Sequence, residues 1–340
     1  MKLMMTGLDY KKADLDIREQ FALTKERTGR VLTYIKACDN IGGCVIISTC
    51  NRTELYVSVL DDGKFEPAKT LCETLDKAFS DFEYYFIEST GERAIGHLCR
   101  VASGLDSRIV GDDQVITQVR EALEFSRGHN CADGYMETMF RTAVKAAKTI
   151  KTNVILKTLG NGSVPEKAVE KIKTIHPITG RNAVVIGNGQ MGRLVSELLI
   201  REGVNVTVTL RQYKKGDIQV PDRADTINYG ERYRAIEKAD IVVSATTSPH
   251  YTLYFNDLKE LARLPEIIVD LAVPRDVEPS VQNIPGAALL TIDDISGESR
   301  VLPPESILRI DEIIGEHTEI YNRWLTFKNN MEPVTVGGAT

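Results

Sequence analysis

Two kinds of hydrophobic patterning divide the chain. Leu3–Thr6 and Gly43–Ser48 are short apolar runs, and Glu54–Leu60 alternates apolar with polar positions in the manner of a strand. Between the first two, Val31, Leu32 and Ile35 follow Thr24 and Arg27 at helical spacing and predict a helix. From Gly91 to about Leu156 the spacing is mostly helical, broken near Gly104 and Gly128–Asn130. Gly160-Asn161-Gly162 then marks a domain boundary.

Beyond Arg181 the pattern changes. Asn182–Ile186, Asn205–Leu210, Ile241–Ser244 and Ile267–Asp270 are apolar strands separated by helical stretches, the signature of a parallel, doubly wound sheet. After Pro303-Pro304 a single long helix runs to about Lys328. Along it Ile307, Ile310, Ile314, His317, Tyr321 and Trp324 repeat at 3-4 spacing, and Ile313, Ile320 and Phe327 widen the stripe. So much apolar surface must be covered, either by the body of the chain or by a second copy, and of the two a homodimer is the expectation. The predicted fold class is therefore α/β, with an N-terminal α/β domain over 1–160, a nucleotide-binding domain over 161–300 and a C-terminal helical region over 301–340.

Composition adds exclusions. At 340 residues the chain is long enough for two domains of about 150 residues. Its 42% hydrophobic and 26% charged residues are those of a globular protein. No apolar run reaches the roughly 18 residues of a membrane span, and the N-terminus turns polar by Asp9–Lys12, so a cytoplasmic protein without membrane contact is expected. Six cysteines all lie within the first 131 residues and none forms a CxxC pair, so reduced thiols and no metal site are expected. The net charge of −6 argues against nucleic-acid binding over the whole surface. It leaves room for a local patch: Thr138–Pro165 holds Arg141, Lys145, Lys148, Lys151 and Lys157 and no acid. Arg141, Lys145 and Lys148 share one helix face, which suits either phosphate contact or ordinary solvation.

The sharpest motif of the second half is Gly187-Asn188-Gly189-Gln190-Met191-Gly192, a GxGxxG run directly after a strand and at a helix start. The first glycine permits a tight turn, the second lets backbone approach a pyrophosphate, and the third lets helix pack on strand. The helix N-terminus then offers unsatisfied N–H groups to the diphosphate. The following strand ends in Arg211-Gln212-Tyr213-Lys214-Lys215 with no carboxylate before Asp217. An acid there would hold the ribose hydroxyls of NAD, whereas Arg211 with Lys214 or Lys215 suits a 2′-phosphate. A Rossmann-type NADPH-binding domain is expected, with surface cations as the plainer reading of the three bases.

In the first half, Ser48-Thr49-Cys50-Asn51-Arg52-Thr53-Glu54-Leu55-Tyr56 places a cysteine where an apolar strand meets a polar turn. A thiol with the usual pKa of ~8.5 is only a few per cent thiolate at neutral pH, and a cation such as Arg52 raises that fraction. A thiolate attacks acyl esters and yields a thioester that still reacts with hydride, which pairs well with NADPH. A buried structural cysteine is the plainer alternative.

The same run, from Thr49 to Tyr56, resembles the hallmark of the glutamyl-tRNA reductase family, S/T-C-N-R-T/V-E-x-Y. The likeness continues through His97-Leu98-Cys99-Arg100-Val101-Ala102-Ser103-Gly104-Leu105-Asp106-Ser107, the Gly187–Gly192 loop and Asp270-Leu271-Ala272-Val273-Pro274-Arg275-Asp276. The resemblance implies that Cys50 attacks the ester linking glutamate to tRNA, that NADPH reduces the thioester, and that glutamate-1-semialdehyde leaves as the first product of five-carbon-route tetrapyrrole synthesis. It implies glutamyl-tRNA as partner, a glutamate-1-semialdehyde aminomutase as a candidate recipient of the product, and Thr49, Asn51 and Arg52 around the substrate. Ser107, Gln114 and Gln118 fall on further substrate positions, and His97 on a histidine important for activity. Where the family has Glu-Pro, this chain has Asp112 and Asp113, a departure that also leaves those contacts open. The family's helical dimerisation domain after the long helix is largely missing. Two alternatives therefore remain: an NADPH reductase of another acyl ester or thioester, and a non-catalytic regulatory paralogue.

Overall fold

The computed structural model describes residues 1–60, 64–111, 113–154, 163–211, 220–296 and 302–331. Its elements, in chain order, begin with β1 (Lys2–Asp9), α1 (Leu15–Phe21), α2 (Lys25–Lys36), β2 (Ile41–Ser48), β3 (Arg52–Val59), α3 (Pro67–Thr74) and β4 (Ile87–Thr90). Three longer helices follow: α4 (Glu92–Ala102), α5 (Asp113–Gly128) and α6 (Gly134–Asn153). Next come α7 (Val164–Ile175), β5 (Asn182–Ile186), α8 (Gln190–Arg201), β6 (Asn205–Leu210), β7 (Asp225–Asn228), α9 (Arg232–Ile236) and β8 (Ile241–Ser244). The last are α10 (Phe255–Lys259), β9 (Ile267–Asp270), β10 (Ala288–Thr291), α11 (Ile292–Ser296) and α12 (Pro304–Met331).

These elements form two compact units. The first takes the described residues within Met1–Asp14, Lys25–Gly160 and Ser299–Thr340, the second those within Leu15–Thr24 and Asn161–Glu298. The units thus differ from a simple division at 160 and 300: α1 belongs with the second, and α12 with the first.

In the first unit a four-stranded sheet has the order β2-β3-β1-β4. β3 lies antiparallel to both of its neighbours, with Asp9 opposite Arg52 and Ser48 opposite Thr53. Side chains alternate across a strand, so Tyr56 faces the core that Leu3, Met5, Val45 and Ile47 form with Ile95, Leu98, Val119, Met136 and Phe140 of α4, α5 and α6. α12 adds Tyr321 to that core and packs Ile314 and Trp324 against it. Ile310 and Ile313 close a smaller cluster with Leu105, Val110, Ile150 and Val154.

The stripe expected to meet a second copy is thus largely covered inside the chain. His317, half-buried, lies 3.3 Å from the Thr149 hydroxyl, and its burial lowers its pKa. Ile307, Leu308, Ile320 and Phe327 remain exposed.

The second unit holds six parallel strands in the order β10-β9-β8-β5-β6-β7. Counting from β5, this is the 3-2-1-4-5-6 order of a dinucleotide-binding sheet, with its topological switch point beside β5 and β8. Val184, Ile186, Val242 and Ile268 face one core. α1 is fastened within this unit by ion pairs from Arg18 to Asp293 (2.5 Å) and from Arg275 to Glu19 and Asp16 (both 2.6 Å). No helix of the described residues is long and apolar enough to cross a membrane.

Candidate active site

Cys50 lies at the tip of the β2–β3 hairpin, in a turn closed by the Thr49 N–H donating to the Arg52 carbonyl (2.8 Å). The Asn51 N–H donates to the Thr49 hydroxyl (3.2 Å), and the Asn51 carbonyl accepts from the Tyr10 N–H (2.9 Å). A polar turn fixed at three points holds Thr49, Cys50 and Asn51 half-buried at the sheet edge. The six cysteines form no disulfide.

Directly after this turn, β3 turns a row of ionisable side chains inward. Arg52, Glu54 and Tyr56 stand on one face because they are two residues apart. Arg52 Nη1 donates to Glu54 Oε1 at 2.6 Å, and the Tyr56 hydroxyl donates to Glu54 Oε2 at 2.7 Å. His97, on α4, brings Nε2 to within 2.9 Å of Glu54 Oε1. Arg52 Nη2 donates to the Asp106 carbonyl, next to Ser107. Asp106 in turn accepts from Lys11 at 2.7 Å and pairs with Arg100 at 3.3 Å.

Electrostatics follow from this arrangement. Burial by itself would push Glu54 up, but Arg52, His97 and the hydrogen bonds reverse that and hold it well below the usual carboxylate range. Burial likewise opposes the charge on Arg52, and Glu54 outweighs it, so its pKa is raised. Tyr56 is pushed well above its ordinary value by burial and then by Glu54.

The hairpin therefore brings Thr49, Cys50, Asn51 and Arg52 together, and Arg52 ties them to His97 through Glu54 and to Ser107 through Asp106. Arg52 is 2% exposed, with both terminal nitrogens engaged. A substrate carboxylate at those atoms would compete with internal partners. Gln114 and Gln118 are half-buried, one helical turn apart on α5. Asp112 and the side chain of Asp113 lie outside the described residues. Sequence reasoning assigned no role to Glu54 or Tyr56, although inward ionisable residues at alternate positions of a buried strand were the available signal. The described residues hold no cluster of three or more His, Cys, Asp or Glu suited to a metal.

In the second unit the glycine loop has the shape a dinucleotide requires. Gly187 has φ +105°, a conformation other residues rarely adopt, and a Cβ there would meet the Ala245 carbonyl oxygen at 2.6 Å. A Cβ at Gly192 would stand 2.0 Å from the Gly187 carbonyl oxygen, whereas one at Gly189 meets no protein atom within 4 Å. Gly189, without a capping side chain, precedes the first turn of α8, so the helix amides there are left for another acceptor. Asn188 and Met191 are half-buried and Gln190 is exposed. At the end of β6, exposed Arg211 stacks over Tyr229 at 4.6 Å. Lys214 and Lys215 lie outside the described residues.

The Asp270–Asp276 stretch supports the loop beside Gly187. Buried Asp276 accepts from the Ser244 hydroxyl, the Thr246 N–H (both 2.7 Å) and the Thr246 hydroxyl (2.5 Å). Asp270 accepts backbone N–H bonds from Ala272, Asp276 and Val277. Burial, then the neighbouring Asp276, pushes Asp270 up to about 7.

Residues 6–154 match the family model described as Glutamyl-tRNAGlu reductase, N-terminal domain. A glutamyl-tRNA reductase of Alkaliphilus oremlandii is 40% identical over 332 residues, which cover 97% of this chain and 99% of the relative. The chain belongs to the glutamyl-tRNA reductase family. A second family member, from Acetivibrio thermocellus, is 39% identical with the same coverage of both chains. Residues 167–298 match the model for shikimate / quinate 5-dehydrogenase, in keeping with a sheet that binds a nicotinamide cofactor. Among solved structures, the family member from Methanopyrus kandleri covers 95% of this chain and 80% of its own, at 26% identity and a TM-score of 0.48. The match spans nearly the whole length of both of these relatives.

Proposed function

We propose that the protein reduces glutamyl-tRNA to glutamate-1-semialdehyde with NADPH, through a thioester on Cys50. The observation that carries this reading is a cysteine held in a hairpin turn beside the Arg52–Glu54–His97 cluster, in a chain that also builds a glycine loop on a dinucleotide-binding sheet. The Cys50 thiolate attacks the ester carbonyl, the ribose hydroxyl of tRNA leaves with a proton, and a glutamyl thioester remains. Bound NADPH supplies the hydride that converts this thioester to the aldehyde and returns Cys50 as thiolate. Gly187–Gly192 and the α8 amides would hold the pyrophosphate, with Arg211 near the 2′-phosphate. The compartment of this reading is the cytoplasm, where charged tRNA is available. An aminomutase that accepts the reactive aldehyde is the chemically apt partner. A homodimer would draw on the α12 positions left uncovered, Ile307, Leu308, Ile320 and Phe327.

The test is incubation with glutamyl-tRNA and either NADPH or NADH, with assay for glutamate-1-semialdehyde. Turnover with NADPH is expected, with a clear preference over NADH. Arg211→Ala should weaken NADPH by about tenfold and NADH little, since only NADPH loses a charge-assisted contact of roughly 1.5 kcal/mol. Equal Michaelis constants for the two cofactors in the unmutated protein would contradict the 2′-phosphate assignment.

The helix α6 directs Arg141, Lys145 and Lys148 outward, with Arg141 3.3 Å from Glu137. We assign this face to tRNA phosphates. Lys145→Glu with Lys148→Glu should raise the Michaelis constant for glutamyl-tRNA about tenfold or more and flatten its salt dependence. Reduction of a small glutamyl thioester should persist, and an unchanged constant for glutamyl-tRNA would remove the face from the tRNA path.

A further inference from the structure

The side chain beneath the Cys50 turn that makes the most polar contacts is Glu54, which the resemblance leaves without a role. It is 1% exposed, and three donors from two elements converge on its two oxygens. We infer that Glu54 is a positioning residue that fixes the His97 proton on Nε2 and leaves Nδ1 as the nitrogen that gives or takes a proton at the reacting carbonyl. The first part stands on geometry alone; the second rests on the function proposed above.

An ionised carboxylate only accepts hydrogen bonds, so a ring nitrogen 2.9 Å from Glu54 Oε1 must carry hydrogen. Glu54 stays ionised because Arg52, bonded to the same oxygen at 2.6 Å, and the Tyr56 hydroxyl on the other outweigh its burial. Neutral histidine has one N–H, and committing it to Nε2 leaves Nδ1 with its lone pair. The ring is 16% exposed, so it is not sealed in the core.

The groups around His97 are mostly charged. From β3 come Glu54 and Arg52, with Tyr56 neutral; α4 contributes Arg100. Asp106 engages Arg100, Lys11 and, through its carbonyl, Arg52. From α12, Asp311 lies 3.5 Å from Arg100. Glu54 is the carboxylate in direct contact with the ring. Replacing it by glutamine keeps the volume, but an amide can donate as well as accept, so a hydrogen on Nε2 is no longer required there.

The experiment is a long-range proton–nitrogen correlation spectrum of histidine-labelled protein without substrate. The chain has five histidines, so His97→Asn is needed to assign the ring. The expected result is the Nε2–H tautomer for neutral His97 in the unmutated protein. Glu54→Gln should let the Nδ1–H tautomer of His97 appear. It should also lower the rate of reduction about tenfold. Tyr56→Phe keeps the Glu54–His97 bond and should keep the tautomer.

An Nδ1–H tautomer in the unmutated protein, or a fully retained Nε2–H tautomer in Glu54→Gln, overturns the inference. If Glu54→Gln does not fold, the tautomer of the unmutated protein decides. Because that spectrum needs no turnover, loss of the proposed function and loss of this assignment are separate outcomes.

Discussion

Replacing Cys50 with serine is expected to abolish reduction of glutamyl-tRNA, by at least about a thousandfold, while leaving NADPH affinity nearly unchanged. The chemical reason is acidity: a thiol near pKa 8.5 supplies some thiolate at neutral pH, and an alcohol supplies almost no alkoxide. The positional reason is the turn, which holds Cys50 half-buried at the sheet edge, whereas Cys44, Cys72, Cys99 and Cys131 are buried. Burial pushes Cys72 up to about 11 and Cys99 up to about 12, so both stay protonated. Cys131 is the chemical rival, because a hydrogen bond shared with the Cys44 thiol lowers its pKa. It is nevertheless 1% exposed, and a carbonyl carbon cannot reach it without unpacking the domain. The check is single-turnover reaction with radiolabelled glutamyl-tRNA. Label should attach covalently to the unmutated protein and to Cys131→Ser, and not to Cys50→Ser. Full activity in Cys50→Ser would move the nucleophile elsewhere, with Cys131 first in line.

How legible these features were depended on where burial comes from. β5, β6, β8 and β9, the inner strands of a parallel sheet, have the bounds read from the sequence, because β5, β8 and β9 form nearly continuous apolar runs and β6 alternates valine with threonine. β4, β7 and β10 went unread, since each is an edge strand with no fully buried residue and so no apolar run to announce it. α12 shows a different limit. Its stripe correctly demanded a cover, but a stripe does not name its partner, and α4 and α6 of the same chain supply most of it. In the candidate site, the Cys50 turn was visible because strand, turn and strand are contiguous. The Glu54–His97 contact joins residues 43 apart in sequence, and no local pattern encodes which helix turn will face which strand position.

The glycine loop allows the cofactor half of the proposed reaction to be switched off by two substitutions that act for different physical reasons. Gly192→Ala places a methyl group 2.0 Å from the Gly187 carbonyl oxygen and 3.0 Å from its carbon. Gly187 cannot retreat easily, since its own Cα already lies close enough to the Ala245 carbonyl that an added Cβ would meet it at 2.6 Å. The start of α8 must therefore move away from the loop. Overpacking of this kind costs about 1–3 kcal/mol, which should appear both as a lower melting temperature and as roughly 5–150-fold weaker NADPH binding. Gly189→Ala meets no protein atom, so it should leave the melting temperature unchanged and weaken NADPH only through the ligand that lies against it. Neither residue belongs to the β2–β3 hairpin, and acylation of Cys50 consumes no hydride. Both variants should therefore still release tRNA and accumulate the glutamyl thioester in the presence of NADPH, where the unmutated protein goes on to aldehyde. Calorimetric titration with NADPH and thermal melting on the same samples separate the cases. An unmutated-like affinity in Gly189→Ala would mean that the pyrophosphate does not lie on this loop, whatever Gly192→Ala does to the fold.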